Sequence, residues 1–117
     1  MNKIEVFNVD EYIDKVTETK KIFRQSLEKY GKEPQCRQAM EECAELIQAI
    51  NKCLRYPSKE ECKNNLIEEI CDVEIMLFQL KEMFGITNEA VESYKLLKAK
   101  REKERLEKLN DSTRDII

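Results

Sequence analysis

The sequence predicts an all-α fold, a four-helix bundle-like arrangement in a single domain. Only two glycines and two prolines interrupt its 117 residues, so apolar residues recur at helical spacing over long stretches. Charged residues make up 38% of the chain with both signs interspersed, which is typical of helices with solvated outer faces. A chain of this length fits one domain, for which we expect a core over about residues 8–109 and a loose tail over residues 110–117.

The first two helices are predicted from their end signals and their apolar spacing. Asn8 is the expected N-cap of a helix over residues 9–30, and Gly31 ends it. Pro34 is expected in the following loop, before a second helix over residues 35–54. The apolar face of the second helix is predicted from spacings of three and four residues, and it contains Cys36, Met40, Cys43, Ile47, Ile50 and Leu54.

The third and fourth helices follow after a proline-containing turn. Residues 58–61 match a capping box and open a third helix that Gly85 ends, and a break at residues 64–65 is left open. The fourth helix is expected to begin at Thr87 or Asn88 and to run to about residue 109. The connections are short, which favours antiparallel neighbours and therefore a bundle.

Two pairs of carboxylates lie where a helical protein usually keeps apolar side chains. Glu42 and Glu45 are three residues apart on the second helix, and Glu69 and Asp72 are three apart on the third. This spacing places both members of a pair on one side of their helix. Glu69 also interrupts an apolar stripe, which consists of Cys62, Leu66, Val73, Met76 and Leu80. An unpaired ionised carboxylate in such a stripe costs free energy or shifts its pKa.

The four carboxylates predict a metal site if the second and third helices pack antiparallel. Converging carboxylates repel one another unless a cation neutralises them, and an all-oxygen set suits Mg²⁺, with Mn²⁺ as the alternative. The chain contains no histidine, which argues against a ferritin-like di-iron site. Its five cysteines lack CxxC spacing, so neither a zinc site nor a disulfide framework is expected, and we interpret them as buried free thiols.

Composition also excludes several function classes. A net charge of −3 without a dominant basic surface argues against nucleic-acid binding as the main activity. The longest uninterrupted apolar run is too short to span a membrane, and the first residues do not form the apolar core of a signal peptide. We therefore expect a cytoplasmic protein with no membrane partner.

Some of these charges have a simpler interpretation. The Glu42/Glu45 pair alone would most often be a solvated helix face, and Glu41 and Glu68 lie toward wetter edges of their helices. The basic residues from Lys98 to Arg105 also complement the helix dipole and pair with interleaved glutamates. A non-enzymatic helical interaction module with a structural cation is therefore the alternative from another class.

Glu41-Glu42-x-x-Glu45, followed by Glu69-x-x-Asp72, resembles the motif of the MazG-like, all-α nucleoside triphosphate pyrophosphohydrolases. The resemblance covers roughly residues 36–105. It implies a helical bundle that assembles as a homodimer or homotetramer. It also implies a Mg²⁺-dependent hydrolase that cleaves nucleoside triphosphates to monophosphate and pyrophosphate, thereby removing normal or damaged nucleotides from the pool.

The resemblance also implies roles for particular residues. Glu42, Glu45, Glu69 and Asp72 match the metal ligands of the family, and Glu42 or Glu45 would activate water. The matching candidates for phosphate binding on the last helix are Lys95, Lys98 and Arg101. Several members carry an asparagine where this chain has Ala99. A phosphoribosyl-ATP pyrophosphatase is the enzymatic alternative.

Overall fold

The computed structural model describes residues 8–116, with side chains described for residues 8–111. This part of the chain forms four α-helices: α1 (Val9–Tyr30), α2 (Lys32–Arg55), α3 (Glu60–Phe84) and α4 (Asn88–Ile116). It contains no β-strand, which confirms the predicted all-α class. The helices belong to two compact units, the first containing α1, α2 and α3 and the second containing α4. None of the described helices combines the length and the apolar character that a membrane span requires.

The ends of α1 are those that the sequence predicts. Asn8 is the N-cap, and its side-chain oxygen accepts a hydrogen bond from the backbone N–H of Glu11 at 3.0 Å. Gly31 follows the last helical residue with a φ of +92°, and its N–H donates to the carbonyl of Leu27 at 2.8 Å. Residues with a side chain rarely adopt this backbone conformation, so glycine suits the position.

The predicted start of α2 is wrong by three residues, because Pro34 lies inside the helix. α2 begins at Lys32, so Gly31 alone separates it from α1. Pro34 then occupies the first helical turn, where a backbone N–H has no intrahelical acceptor and its loss costs little. The other end is close to the prediction, since α2 ends at Arg55 and the N–H of Tyr56 donates to the carbonyl of Lys52 at 2.9 Å.

The later helices differ from the prediction mainly at their ends. α3 begins at Glu60 with Ser58 in the preceding turn, and it runs through residues 64–65 without a break. Thr87 caps α4, since its hydroxyl accepts a hydrogen bond from the N–H of Ala90 at 3.1 Å. α4 continues to Ile116 instead of ending near residue 109, and residue 117 of the expected tail lies outside the described residues.

α2 and α3 pack antiparallel, as three side-chain contacts show. Near one end, Nε2 of Gln35 donates to Oε1 of Gln79 at 2.8 Å, and Sγ of Cys36 lies 3.9 Å from Sδ of Met83. Near the other end, Sγ of Cys53 donates to the backbone carbonyl of Cys62 at 3.1 Å. Residues early in α2 therefore meet residues late in α3, which is the arrangement that the acidic pairs need.

The core of the first unit is small and partly polar. Its buried apolar residues are Ala39, Ala49 and Met76, and Gln79 is the most deeply buried large side chain, with 1% of it exposed. Nε2 of Gln79 donates to the backbone carbonyl of Phe23 at 2.9 Å, so one amide joins α1, α2 and α3. Because both ends of this amide are hydrogen-bonded, its burial carries no unsatisfied polar group.

Most of the predicted apolar face of α2 lies outside the contact with α3, and Cys36, which meets Met83 of α3, is the exception. Those residues, which we call the outer stripe, include Met40, Ile47 and Leu54 with 62%, 61% and 76% of each exposed. The neighbouring stripe meets α3 instead, and it contains Gln35, Ala39, Glu42, Ala49 and Cys53. Both stripes recur at helical spacing, and the alanines of the inner stripe let the two helices approach closely, which periodicity alone does not reveal.

Candidate metal centre

Four carboxylates from α2 and α3 converge at the inner faces of the two helices. Glu42 and Glu45 contribute from α2, and Glu69 and Asp72 contribute from α3. One carboxylate oxygen from each residue can be chosen so that all four lie within 4.8 Å of one another. The structure thus brings together the complete set of predicted ligands, and a single cation could contact oxygens of all four.

The Gln35–Gln79 pair sets the register of these ligands. Glu42 lies two helical turns after Gln35 on α2, and Asp72 lies two turns before Gln79 on α3. Because the helices are antiparallel, a contact between the glutamines places Glu42 and Asp72 opposite each other about 10 Å farther along. The sequence interpretation missed this pair, although each glutamine lies seven residues from a predicted ligand and on the same helix face.

The carboxylates differ in their exposure to solvent. Glu42, Glu69 and Asp72 are half-buried, whereas Glu45 is exposed. Oε1 of Glu42 accepts a hydrogen bond from Nε2 of Gln38 at 2.7 Å, one helical turn away. Three of the four ligands are therefore partly shielded from solvent, and water can reach the centre from the side of Glu45.

Two oxygen atoms of the cluster are buried and accept no hydrogen bond from any residue that the structure describes. They are Oε2 of Glu42 and Oε2 of Glu69. A buried carboxylate oxygen without a donor costs free energy, because the water that solvated it has been removed without replacement. A cation would supply the missing positive partner, so the residues present fit a metal ion.

The cluster also perturbs the ionisation of Asp72. Burial raises the pKa of Asp72 above its ordinary value of 3.8, and the negative charge of Glu42 and a hydrogen bond with Glu42 raise it further. These effects all favour the neutral acid when no cation is bound. A divalent ion between the two groups would oppose them and favour the carboxylate form that coordinates metal.

The acidic residues and cysteines adjacent to the ligands in sequence do not belong to the carboxylate cluster. Glu41 and Glu68 are exposed, in keeping with the prediction that they lie on wetter edges. All five cysteines are free, as predicted, but Cys43 and Cys71 are exposed and the other three are half-buried, so their prediction as buried thiols is wrong. No thiol belongs to the carboxylate cluster, which keeps it an all-oxygen set.

The predicted phosphate-binding residues lie on α4, in the second unit. Lys95, Lys98 and Arg101 are all exposed. Nζ of Lys95 pairs with Oε1 of Glu92 at 3.1 Å, one turn earlier on the same helix. Exposed pairs of this kind contribute little to stability, so Lys95 could exchange this partner for a phosphate. Their role toward substrate stays a prediction.

No protein-family model, curated protein or solved structure matches the chain. The chemistry of the centre therefore follows from its own residues. An all-oxygen set of four carboxylates suits Mg²⁺ or Mn²⁺ and does not suit metals that prefer imidazole or thiolate ligands.

Proposed function

We propose that this protein is a Mg²⁺-dependent nucleoside triphosphate pyrophosphohydrolase of the MazG-like type. It would hydrolyse a normal or damaged (deoxy)nucleoside triphosphate to the monophosphate and pyrophosphate, and so remove that nucleotide from the pool. The convergence of Glu42, Glu45, Glu69 and Asp72 carries the proposal. The resemblance of their motif to the MazG-like enzymes supports the choice of reaction.

Mg²⁺ is the expected cofactor, with Mn²⁺ as the alternative, and the four carboxylates would hold it. The buried oxygens of Glu42 and Glu69 support this assignment, because no described residue donates a hydrogen bond to them and a cation would supply a positive partner. When bound, such an ion neutralises phosphate charge and lowers the pKa of water.

The environments of Glu42 and Glu45 favour different roles. Glu42 is half-buried and held by Gln38, which suits a ligand in a fixed position. Glu45 is exposed, so its carboxylate can meet a solvent water. We assign Glu45 as the base that takes the proton when this water attacks phosphorus. A new P–O bond then forms, the bridge between the α and β phosphates breaks, and pyrophosphate leaves.

The basic side chains of α4 are the proposed phosphate ligands. Lys95, Lys98 and Arg101 lie at spacings of three residues, so they follow one broad side of the helix. Cationic side chains stabilise the charge that develops on a transferring phosphoryl group. We expect their removal to raise KM for the nucleotide.

We also propose that the chain functions as a homodimer or homotetramer. Large apolar side chains are exposed on every helix of the first unit, and examples are Ile22, Ile47 and Leu77 with 50%, 61% and 47% of each exposed. Burial of such side chains between subunits would add apolar contact that the small core of the unit lacks.

Pyrophosphate release from a panel of NTPs and dNTPs, with and without Mg²⁺, tests the proposed activity. We expect release that requires the metal and falls by 10²–10⁴-fold in Glu45→Gln, because general bases commonly contribute about that much. Glu41→Gln is the matched control, since Glu41 is exposed on the same helix and lies outside the cluster.

The panel should include phosphoribosyl-ATP, because release from this substrate alone would identify the enzymatic alternative. A wild-type protein that releases no pyrophosphate from any substrate would overturn the proposed hydrolase. Metal binding without hydrolysis would then favour an interaction module with a structural cation.

A further inference from the structure

Two cysteines meet across α2 and α3 at the end of this helix pair that lies next to the connecting turn. Sγ of Cys53 donates a hydrogen bond to the backbone carbonyl of Cys62 at 3.1 Å. Both residues are half-buried, and both thiols are free. Residues 54–61 separate the two cysteines along the chain, so their contact results from the antiparallel packing of the two helices.

The exposure of the surrounding residues shows that the two cysteines face inward. Residues 51–64 contain the end of α2, the turn and the beginning of α3, and all of them except Cys53 and Cys62 are exposed. Since the thiol of Cys53 touches the backbone of Cys62, the opposite helix is what shields it from solvent. The two cysteines are therefore the inner contact of this end of the helix pair.

The register of the two helices also places the cysteines opposite each other. Cys53 lies 18 residues after Gln35 on α2, and Cys62 lies 17 residues before Gln79 on α3. These distances correspond to about 27 Å and about 26 Å of helix, so the hydrogen-bonded glutamines bring both cysteines to one level. Ala49, one turn before Cys53, is only 1% exposed, which shows that the packing remains close there.

This arrangement favours a disulfide bond between the two cysteines. A disulfide requires two Cα atoms that lie a few ångströms apart, and it cannot bridge residues whose backbones are distant. Because the thiol of Cys53 already touches the backbone of Cys62, the approach of the two sulfurs requires side-chain rotation and no change of helix register. Side chains change rotamer within picoseconds to nanoseconds when they are not tightly packed, and both cysteines are only half-buried.

The surroundings of the other three thiols differ from those of this pair. Cys36 contacts a methionine of α3. Cys43 borders a groove that Leu80 and Phe84 also line, whereas Cys71 borders a separate groove beside α1. Among the described residues, the contact between α2 and α3 at the connecting turn is therefore the place where two cysteines meet.

We propose that Cys53 and Cys62 form a reversible disulfide on reaction with a low-molecular-weight disulfide, and that this bond clamps α2 to α3. The thiolate of one cysteine attacks a sulfur of the oxidant, which leaves a mixed disulfide and releases one small thiolate. The thiolate of the other cysteine attacks the sulfur attached to the protein, forms the internal bond and releases the second small thiolate. The two cysteines are oxidised, the small disulfide is reduced, and the two protons end on the released thiols.

The clamp lies close to the candidate metal centre. Glu45 lies eight residues before Cys53, and Glu69 lies seven residues after Cys62, so about two helical turns separate the bond from each ligand. The bond closes the loop of residues 53–62, which restricts the unfolded chain and stabilises the folded helix pair. This inference concerns the thiols and does not depend on hydrolysis, so its test is separate from the activity assay.

Thiol mapping of the full chain in the presence of a chelator tests the pairing. The chain is incubated with oxidised glutathione, its remaining thiols are alkylated, and the products are identified by intact mass and by peptide mapping without reduction. We expect a bond between the peptides of Cys53 and Cys62 that dithiothreitol removes. Cys43→Ser, which removes an exposed thiol outside the pair, is the matched control and should form the same bond.

Cys53→Ser should form no internal disulfide, with circular dichroism confirming that the variant remains helical. A wild type that keeps all its thiols would overturn the proposal. Mixed disulfides with glutathione at Cys53 or Cys62 without the internal bond, or an internal bond between other cysteines, would also overturn it.

Thermal melting of the oxidised chain tests the clamp. In chelator, the oxidised wild type should melt roughly 10 °C above the reduced wild type, because a disulfide that closes a loop of this size restricts the unfolded state. Dithiothreitol should reverse the shift, and Cys53→Ser treated in the same way should show none. An oxidised wild type that contains the mapped bond but melts no higher than the reduced form would overturn the clamp.

Discussion

Gln35 and Gln79 are hydrogen-bonded across α2 and α3, and this contact fixes the register in which the metal ligands meet. Nε2 of Gln35 donates to Oε1 of Gln79 at 2.8 Å. Nε2 of Gln79 then donates to the carbonyl of Phe23 at 2.9 Å, which includes α1 in the same connection. If α3 shifted by one helical turn relative to α1 and α2, both hydrogen bonds would break and Asp72 would move away from Glu42. The amides therefore specify one alignment among several that apolar contacts alone would allow.

Replacing Gln79 by leucine should destabilise the fold. The substitution leaves the buried amide of Gln35 and the part-buried carbonyl of Phe23 without these partners, at a cost of about 1–3 kcal/mol. Urea unfolding monitored by circular dichroism measures the change in the free energy of unfolding. Gln48→Leu, at an exposed position of α2, is the control and should change it by less than about 0.5 kcal/mol. Equal stability of the two variants would contradict the structural role of Gln79.

Mg²⁺ or Mn²⁺ should raise the melting temperature, and Glu69→Gln should abolish the rise. Binding to the folded state alone stabilises by about 2.7 kcal/mol at a metal concentration one hundred times Kd. Without metal, Glu69→Gln should melt higher than the wild type, because it removes a charge whose Oε2 is buried and unpartnered. Thermal melts with metal and with chelator measure both effects. Glu68→Gln, exposed and adjacent in sequence, should respond to metal as the wild type does.

Ionisation of Asp72 should lower the free energy of unfolding of the metal-free protein as the pH rises. Burial and the charge of Glu42 raise the pKa of Asp72 above 3.8, so the folded state holds this proton at pH values where the unfolded chain has released it. The folded state then binds more protons, and the free energy of unfolding falls as the pH rises from 3.8 through the raised pKa. Melts in chelator across this range should show a steeper decline for the wild type than for Asp72→Asn. Parallel declines would contradict the proposed perturbation.

Gln38→Ala should weaken metal binding while leaving the fold intact. The variant removes the 2.7 Å hydrogen bond that holds Oε1 of Glu42. Loss of a group that orients a metal ligand typically costs about 10–100-fold in affinity. Calorimetric titration with Mn²⁺ measures the change, and Gln48→Ala is the control on the same helix. If both variants bind Mn²⁺ as the wild type does, Gln38 does not position the ligand.

Sequence signals located most helix ends because those signals are local. Asn8, Gly31 and Thr87 act at the positions where capping rules place them. The predicted start of α2 was wrong because Pro34 was placed in a loop. Proline breaks a helix interior but is tolerated in the first turn, where Pro34 lies. The packing face of α2 was also missed, because two stripes share its periodicity and the less apolar one lies against α3.

The candidate site was predictable in its ligands but not in their surroundings. Spacing and the interruption of an apolar stripe indicated all four carboxylates, and the structure brings them together. Gln38, Gln35 and Gln79 gave no comparable signal, because a glutamine on a helix is usually a solvated residue. Their importance depends on antiparallel packing, which pairs residues far apart in the chain and becomes visible only in three dimensions.

Because Gly31 alone connects α1 and α2, the packing of these two helices is sensitive to any insertion or deletion at this position. One inserted residue at this joint would turn α2 by about 100° and shift it about 1.5 Å relative to α1. The carbonyl of Phe23 and the side chain of Gln35 could then no longer reach Gln79 together. Conversely, the turn at residues 56–59 has several residues with which to absorb a change. Insertions should therefore be tolerated between α2 and α3 sooner than between α1 and α2.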